Sequence, residues 1–135
     1  MKKLNVILVY NEDKTKILMC KREKNPYKGL FNLVGGKLEE GETEIEGAYR
    51  ELEEETGLVA EGVELLHSIY PTPAYTDEII YIYIAKNVKS GKVHLDSDEF
   101  LNVEKIPTQK AKQMLLSGEI HDAKTIIALY SYFFR

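Results

Sequence analysis

Between Gly36 and Leu58 the chain reads GKLEEGETEIEGAYRELEEETGL, twenty-three residues that set a glycine-bounded loop ahead of a helix crowded with glutamates. Nine glutamates fall between Glu39 and Glu55, and Arg50 is the only cation among them. Carboxylates one helical turn apart repel one another and weaken the helix that carries them. A bound divalent cation turns that repulsion into affinity, because hard metal ions take oxygen ligands. The segment therefore reads as a metal-binding element.

On a helix, Ile45, Ala48 and Leu52 recur at three- and four-residue spacing and form an apolar stripe facing a core. At about 100° per residue, Glu51, Glu54 and Glu55 cluster on a neighbouring face, each within a turn of Glu51. Gly47 shares that face and leaves room for a ligand to approach the backbone, while Glu46 and Glu53 point to solvent. Thr43 and Glu46 form a capping box at the start, and Gly57 ends the helix.

A solvated acidic face would also be rich in glutamate, but it would not need the rest of the pattern. Gly36, Glu42 after five intervening residues, Arg50-Glu51-Leu52 after seven more, then Glu54-Glu55 and Gly57-Leu58 match nine specified positions. The segment resembles the Nudix box at each of them. The resemblance implies a Nudix-type α/β/α sandwich with a mixed sheet, and hydrolysis of a pyrophosphate bond in a nucleoside diphosphate linked to another group. It implies Mg2+ as cofactor, with Mn2+ as the alternative. By position, Glu51, Glu54 and Glu55 correspond to metal ligands and Gly36 to a backbone ligand. Arg50 corresponds to the residue that orients a catalytic carboxylate. Lys37, after the double glycine, is either a point charge for phosphate oxygens or an ordinary exposed lysine.

The chain has 135 residues, with 44% hydrophobic and 30% charged, which suits a single domain spanning 1–135. Its net charge of -4 conceals an asymmetry: residues 39–55 carry -8, leaving +4 elsewhere. With a pI near 5.5, gripping a nucleic-acid polymer is not expected. A positive rim around an acidic metal site suits a small polyanionic nucleotide. The lone Cys20 allows no internal disulfide and fits a reducing compartment, as a small buried hydrophobe. No signal peptide or membrane-length apolar run is visible, so the expectation is a cytoplasmic protein without a membrane partner.

The pattern predicts a hairpin of Leu4–Tyr10 and Lys16–Arg22 around residues 11–14, and a short strand at Leu30–Val34. Further strands are expected near Val63–Tyr70 and Glu78–Ala85, the latter with isoleucines on one face and tyrosines on the other. Strands near Lys92–Leu95 and Phe100–Ile106 complete the sheet. Pro107 opens a helix to about Leu116, and Asp122–Phe134 forms another. The apolar run Ile126–Phe134 is expected either in the core or in a dimer contact, so the chain is expected as a monomer or a homodimer.

The flanks of the box point to two substrate classes. Leu30 to Lys37 resembles MutT-like enzymes that sanitise oxidised nucleoside triphosphates, in which the counterpart of Asn32 contacts the base; otherwise Asn32 holds a strand end. Phe31 or Tyr27 could stack on that base or simply pack. Downstream, Pro73 lies fifteen residues beyond Leu58, in a segment resembling ADP-ribose pyrophosphatases, and the stretch from Ser117 to Ile126 resembles the end of that subgroup. The reading leans to ADP-ribose or a related nucleotide sugar.

Glu99, ahead of a strand, is a candidate extra metal ligand or catalytic base, against a plain acidic turn. Asp122 is a helix N-cap and a secondary candidate for base recognition. His67, His94 and His121 lack zinc spacing. A non-catalytic nucleotide-sensing module is the alternative of another class; such modules usually lose box glutamates, and this chain keeps them all.

Overall fold

The computed structural model describes residues 1–11, 13–91 and 103–135. Its elements run β1 (Lys2–Leu8), β2 (Lys16–Lys21), β3 (Phe31–Asn32), β4 (Val34–Lys37), α1 (Glu44–Thr56), β5 (Leu58–Val59) and β6 (Gly62–Ile69). They continue with β7 (Glu78–Lys86), β8 (Lys89–Ser90), β9 (Val103–Pro107), α2 (Thr108–Leu116) and α3 (Ala123–Phe133). A four-stranded sheet has the order β4-β1-β7-β6, a three-stranded sheet the order β3-β2-β9, and β5 pairs with β8. The larger sheet is mixed: β1 runs parallel to β7 and antiparallel to β4. The chain is thus an α/β sandwich with helices on both faces.

β1 lies inside the larger sheet, and Val6 to Val9 are each fully buried. A strand covered on both faces needs an unbroken apolar run, which this sequence supplies. Alternation then sorts the core into two layers. Val6, Leu8, Ile80, Ile82 and Ile84 pack with Met114, Ala128 and Leu129 beneath α2 and α3. Ile7, Val9, Val34 and Tyr83 pack with Ala48 and Leu52 beneath α1. The isoleucine and tyrosine faces of β7 therefore divide as expected. Complete burial of Leu52 contributes about 1.5–3 kcal/mol.

The structure differs from the expected elements in several places. β1 and β2 do not form one hairpin ladder; they belong to different sheets and, among the described residues, meet toward the tip, through the Tyr10–Ile17 bridge and the bonds from Leu18 N to Val9 O and from Asn11 N to Lys16 O. The strand expected at Leu30–Val34 is divided, because the chain passes from one sheet to the other at Leu33. Ile45 is 52% exposed and leaves the apolar stripe to Ala48 and Leu52. Within Ile126–Phe134 the inward-facing Ala128 and Leu129 are fully buried, while Tyr130 and Phe134 remain exposed. The strand expected at Lys92–Leu95 and the beginning of the one at Phe100–Ile106 lie outside the described residues. Among the described residues, no helix is long and apolar enough to cross a membrane.

Candidate active site

The geometry begins with how α1 is held. Thr43 and Glu46 close the capping box, and Gly57, with φ 71°, ends the helix by donating its N–H to Glu53 O at 2.8 Å. Arg50 projects from the middle of α1 and gathers the carboxylates around it. Its Nε and Nη2 donate to the two oxygens of Glu42 at 2.6 and 3.0 Å. Nη1 donates to Glu51 at 3.1 Å and to Glu54 at 3.0 Å, and Nη2 also reaches the Lys37 carbonyl at 3.1 Å. The two-point grip holds the Glu42 carboxyl below its ordinary pKa, chiefly through hydrogen bonding.

The Glu51 carboxyl group belongs to a residue only 8% exposed. Burial raises its pKa, and the neighbouring Arg50 cation opposes that shift. Glu55 is pushed up to about 7, first by burial; the Gly35 N–H, which donates to its Oε2 at 3.2 Å, opposes this and nearby Glu51 adds to it. Two adjacent, half-desolvated carboxylates therefore share one problem, relieved by a proton or by a cation. Among the described residues, no three metal-ligating side chains converge around one point in this arrangement. Arg50 Nη1 bridges Glu51 and Glu54 instead. The donor set, all oxygen and strongly anionic, fits a hard divalent cation.

β4 supplies the opposite wall. A Cβ on Gly36 would come within 2.6 Å of Glu51 Oε1, and one on Gly35 would run into the Asn5 carbonyl. The double glycine lets strand and helix meet at the carboxylates. Gly47 serves packing rather than ligand approach, since a Cβ there would meet Glu42 Oε1, Asn5 Nδ2 and Leu38 Cγ.

Two adjoining pockets extend from this cluster. One, of about 570 Å³, is lined by Glu54, Glu55, Gly35, Cys20 and the cations Lys21, Arg22 and Lys24. The other, of about 500 Å³, is lined by Tyr27, Phe31, His121, Asp122 and Lys124. Arg22 and Asn32 line both, so the pockets form one cleft. The three cations at 21–24 provide the positive rim expected from the charge asymmetry, but their positions follow from the β2 edge and the 22–29 loop. That loop is closed by Arg22 Nε donating to Pro26 O at 2.6 Å and Gly29 N to Arg22 O at 2.7 Å. Lys21 Nζ stands 5.8 Å from the centre of the Phe31 ring.

Of the residues singled out in the sequence, Gly36, Arg50, Glu51, Glu54 and Glu55 come together. Asn32 lies at the junction of the two pockets, with Phe31 and Asp122 at the far end. Lys37 is exposed and lines neither pocket; its backbone carbonyl serves Arg50. Glu99 and His94 lie outside the described residues. Cys20 is half-buried in the cleft wall rather than sealed in the core, because β2 turns that side toward Glu55. Burial, and then the Glu55 charge, push its pKa up to about 12. That Lys21, Arg22, Lys24 and Lys124 line the cleft was not legible from spacing; the only signal was the basic run from the end of β2.

The family model for the NUDIX domain matches residues 1–129, and the chain belongs to the Nudix family. It is 39% identical over 127 residues to a methanol dehydrogenase activator of Bacillus methanolicus, covering 92% of this chain and 68% of that one. It is 37% identical over 120 residues to an ADP-ribose pyrophosphatase of Bacillus subtilis (strain 168), covering 87% of this chain and 65% of the relative. A crystal structure of an ADP compounds hydrolase superposes with a TM-score of 0.81 at 20% identity, over 97% of this chain and 70% of that one. At that identity the likeness establishes the fold.

Proposed function

We propose that this chain hydrolyses the pyrophosphate bond of a nucleoside diphosphate sugar of the ADP-ribose class. The observation that carries the reading is the continuous cleft, with a carboxylate cluster at one end, three cations along the middle and an aromatic, hydrogen-bonding chamber at the other. The similarity to an ADP-ribose pyrophosphatase supports the same substrate class.

In this reading Glu51, Glu54 and Glu55, with the Gly36 carbonyl, hold a divalent cation, Mg2+ or Mn2+. That cation supplies charge neutralisation on the diphosphate and a more acidic water. Lys21, Arg22 and Lys24 draw in and orient the phosphates. Arg50 fixes the approach angle of Glu51 and Glu54 by hydrogen bonding. Glu54, exposed to the cleft, takes the proton from the attacking water, with Glu99 the competing base. The water oxygen bonds to one phosphorus while the bond from that phosphorus to the bridging oxygen breaks, and the bridging oxygen departs on the other phosphate. Asn32, Phe31 and Asp122 receive the nucleoside.

The test is a panel of ADP-ribose, other nucleotide sugars, and ordinary and oxidised nucleoside triphosphates, with magnesium. AMP and ribose 5-phosphate from ADP-ribose are expected. Pyrophosphate and a monophosphate from the triphosphates alone would transfer the chain to the MutT-like class. Nucleotide binding without turnover of any compound would make it a sensor.

A further inference from the structure

We propose that Thr125 is a positioning residue for the nucleoside end of the cleft: its hydroxyl joins the Asp122 carboxylate to the Leu33 backbone, so Asn32 and Asp122 are held as one unit. The inference rests on the reading of the cleft given above.

Leu33 is the single residue between β3 and β4, the corner at which the chain leaves the three-stranded sheet for the four-stranded one. It belongs to no strand ladder, and its N–H donates to Thr125 Oγ1 at 3.1 Å, across 92 residues of sequence. A buried N–H without a partner is costly, so this bond pins the corner. The Thr125 hydroxyl in turn donates to Asp122 Oδ2 at 2.6 Å, and Thr125 N reaches the same oxygen at 3.3 Å. Lys124 Nζ donates to the other oxygen, Oδ1, at 2.7 Å. Thr125 itself is fully buried.

Capping α3 requires only the Thr125 N–H, which any residue at this position except proline supplies. The hydroxyl does something separate. It passes a hydrogen bond from the strand corner to the carboxylate, and Asn32 is the residue immediately before that corner. Gly35 and Gly36 are held independently by their pairing with Val6 and Asn5 of β1. Disturbing the corner therefore loosens the nucleoside end and leaves the carboxylate cluster in place.

The experiment compares Thr125→Val, which keeps the shape without the hydroxyl, with Thr125→Ser, which keeps the hydroxyl without the methyl. The readouts are KM and kcat for whichever nucleotide sugar is turned over, Kd for AMP by calorimetry, and exchange of the Leu33 amide. T125V should weaken KM and the AMP Kd about tenfold, with kcat within about threefold of the parent. Its Leu33 amide should exchange faster, and T125S should remain near the parent in every readout. Unchanged KM and Kd in folded T125V would overturn the proposal, as would a T125S variant as impaired as T125V. Should T125V fail to fold, Thr125→Ala carries the same comparison. If the parent protein turns over no nucleotide sugar, the proposed function fails while the AMP comparison still decides the role of Thr125. A parent protein that binds no AMP would overturn both.

Discussion

A Cβ placed on Gly36 would lie 2.6 Å from Glu51 Oε1 and 2.9 Å from its Cδ, so β4 meets α1 at the carboxylate itself. The atoms in the way are the end of a flexible side chain, which can swing aside at little cost to the fold. Gly36→Ala should therefore keep the fold, with Tm lowered by no more than about 4–8 °C. Activity should fall about 100-fold, and the metal concentration needed for half-maximal rate should rise. Thermal melting and metal titrations of rate check both parts.

Arg50 engages Glu42, Glu51, Glu54 and the Lys37 carbonyl at once, with its side chain only 19% exposed. A lysine has the charge but not the planar fork, so it cannot keep these acceptors together. Arg50→Lys should lower stability by about 1–3 kcal/mol by leaving buried carboxylate oxygens unpaired. It should also lower kcat more than it raises KM. Denaturant unfolding and steady-state kinetics measure the two effects.

Glu54 is the outlying carboxylate of the cluster, its side chain 59% exposed. Exposed ion pairs contribute little to stability, so Glu54→Gln should change it by less than about 1 kcal/mol. Turnover should drop at least about 100-fold. Near-normal activity in that variant would remove Glu54 from the chemistry.

Without metal, Glu55 takes up a proton in the fold that it would release when unfolded. Its pKa is raised from 4.5 to about 7, chiefly by burial. At Glu55 the native chain then binds more protons than the unfolded one between these values, so the contribution of Glu55 to stability is full below pH 4.5 and is lost as pH rises through 7. Metal-free melting curves should show the decline across this window. Glu55→Gln should flatten it, and added magnesium should offset it at about pH 8.

Cys20 lines the same cleft with its thiol pushed up to about 12 from an ordinary value of 9.0, by burial and then by the charge of Glu55. Since the thiolate is the nucleophile, alkylation of the native protein at about pH 8 should run at least about 100-fold slower than in denaturant. Mass spectrometry after timed iodoacetamide treatment gives the ratio.

Helical features were the most legible in the sequence, because their causes are local. The Thr43–Glu46 capping box, the left-handed Gly57, the start of α2 after Pro107 and the Asp122 cap all appear where residue type and spacing placed them. The cluster of Glu51, Glu54 and Glu55 was legible for the same reason: a helical turn sets their separation. Beyond Val34, β4 was missed because two of its four residues are glycines, which carry no strand signal and stand there for close approach to Asn5 and Glu51.

The sequence by itself determined the Nudix box, the charged face of α1 and the apolar alternation that sorts β7 between two core layers. Periodicity and short-range hydrogen bonding are written into neighbouring residues. Tertiary structure alone decided the division of Phe31–Lys37 between two sheets, the cations that line the cleft and the bond from Leu33 to Thr125. These depend on which distant segments share a sheet edge or a helix terminus, and such contacts are chosen by burial across the whole chain rather than by any local pattern.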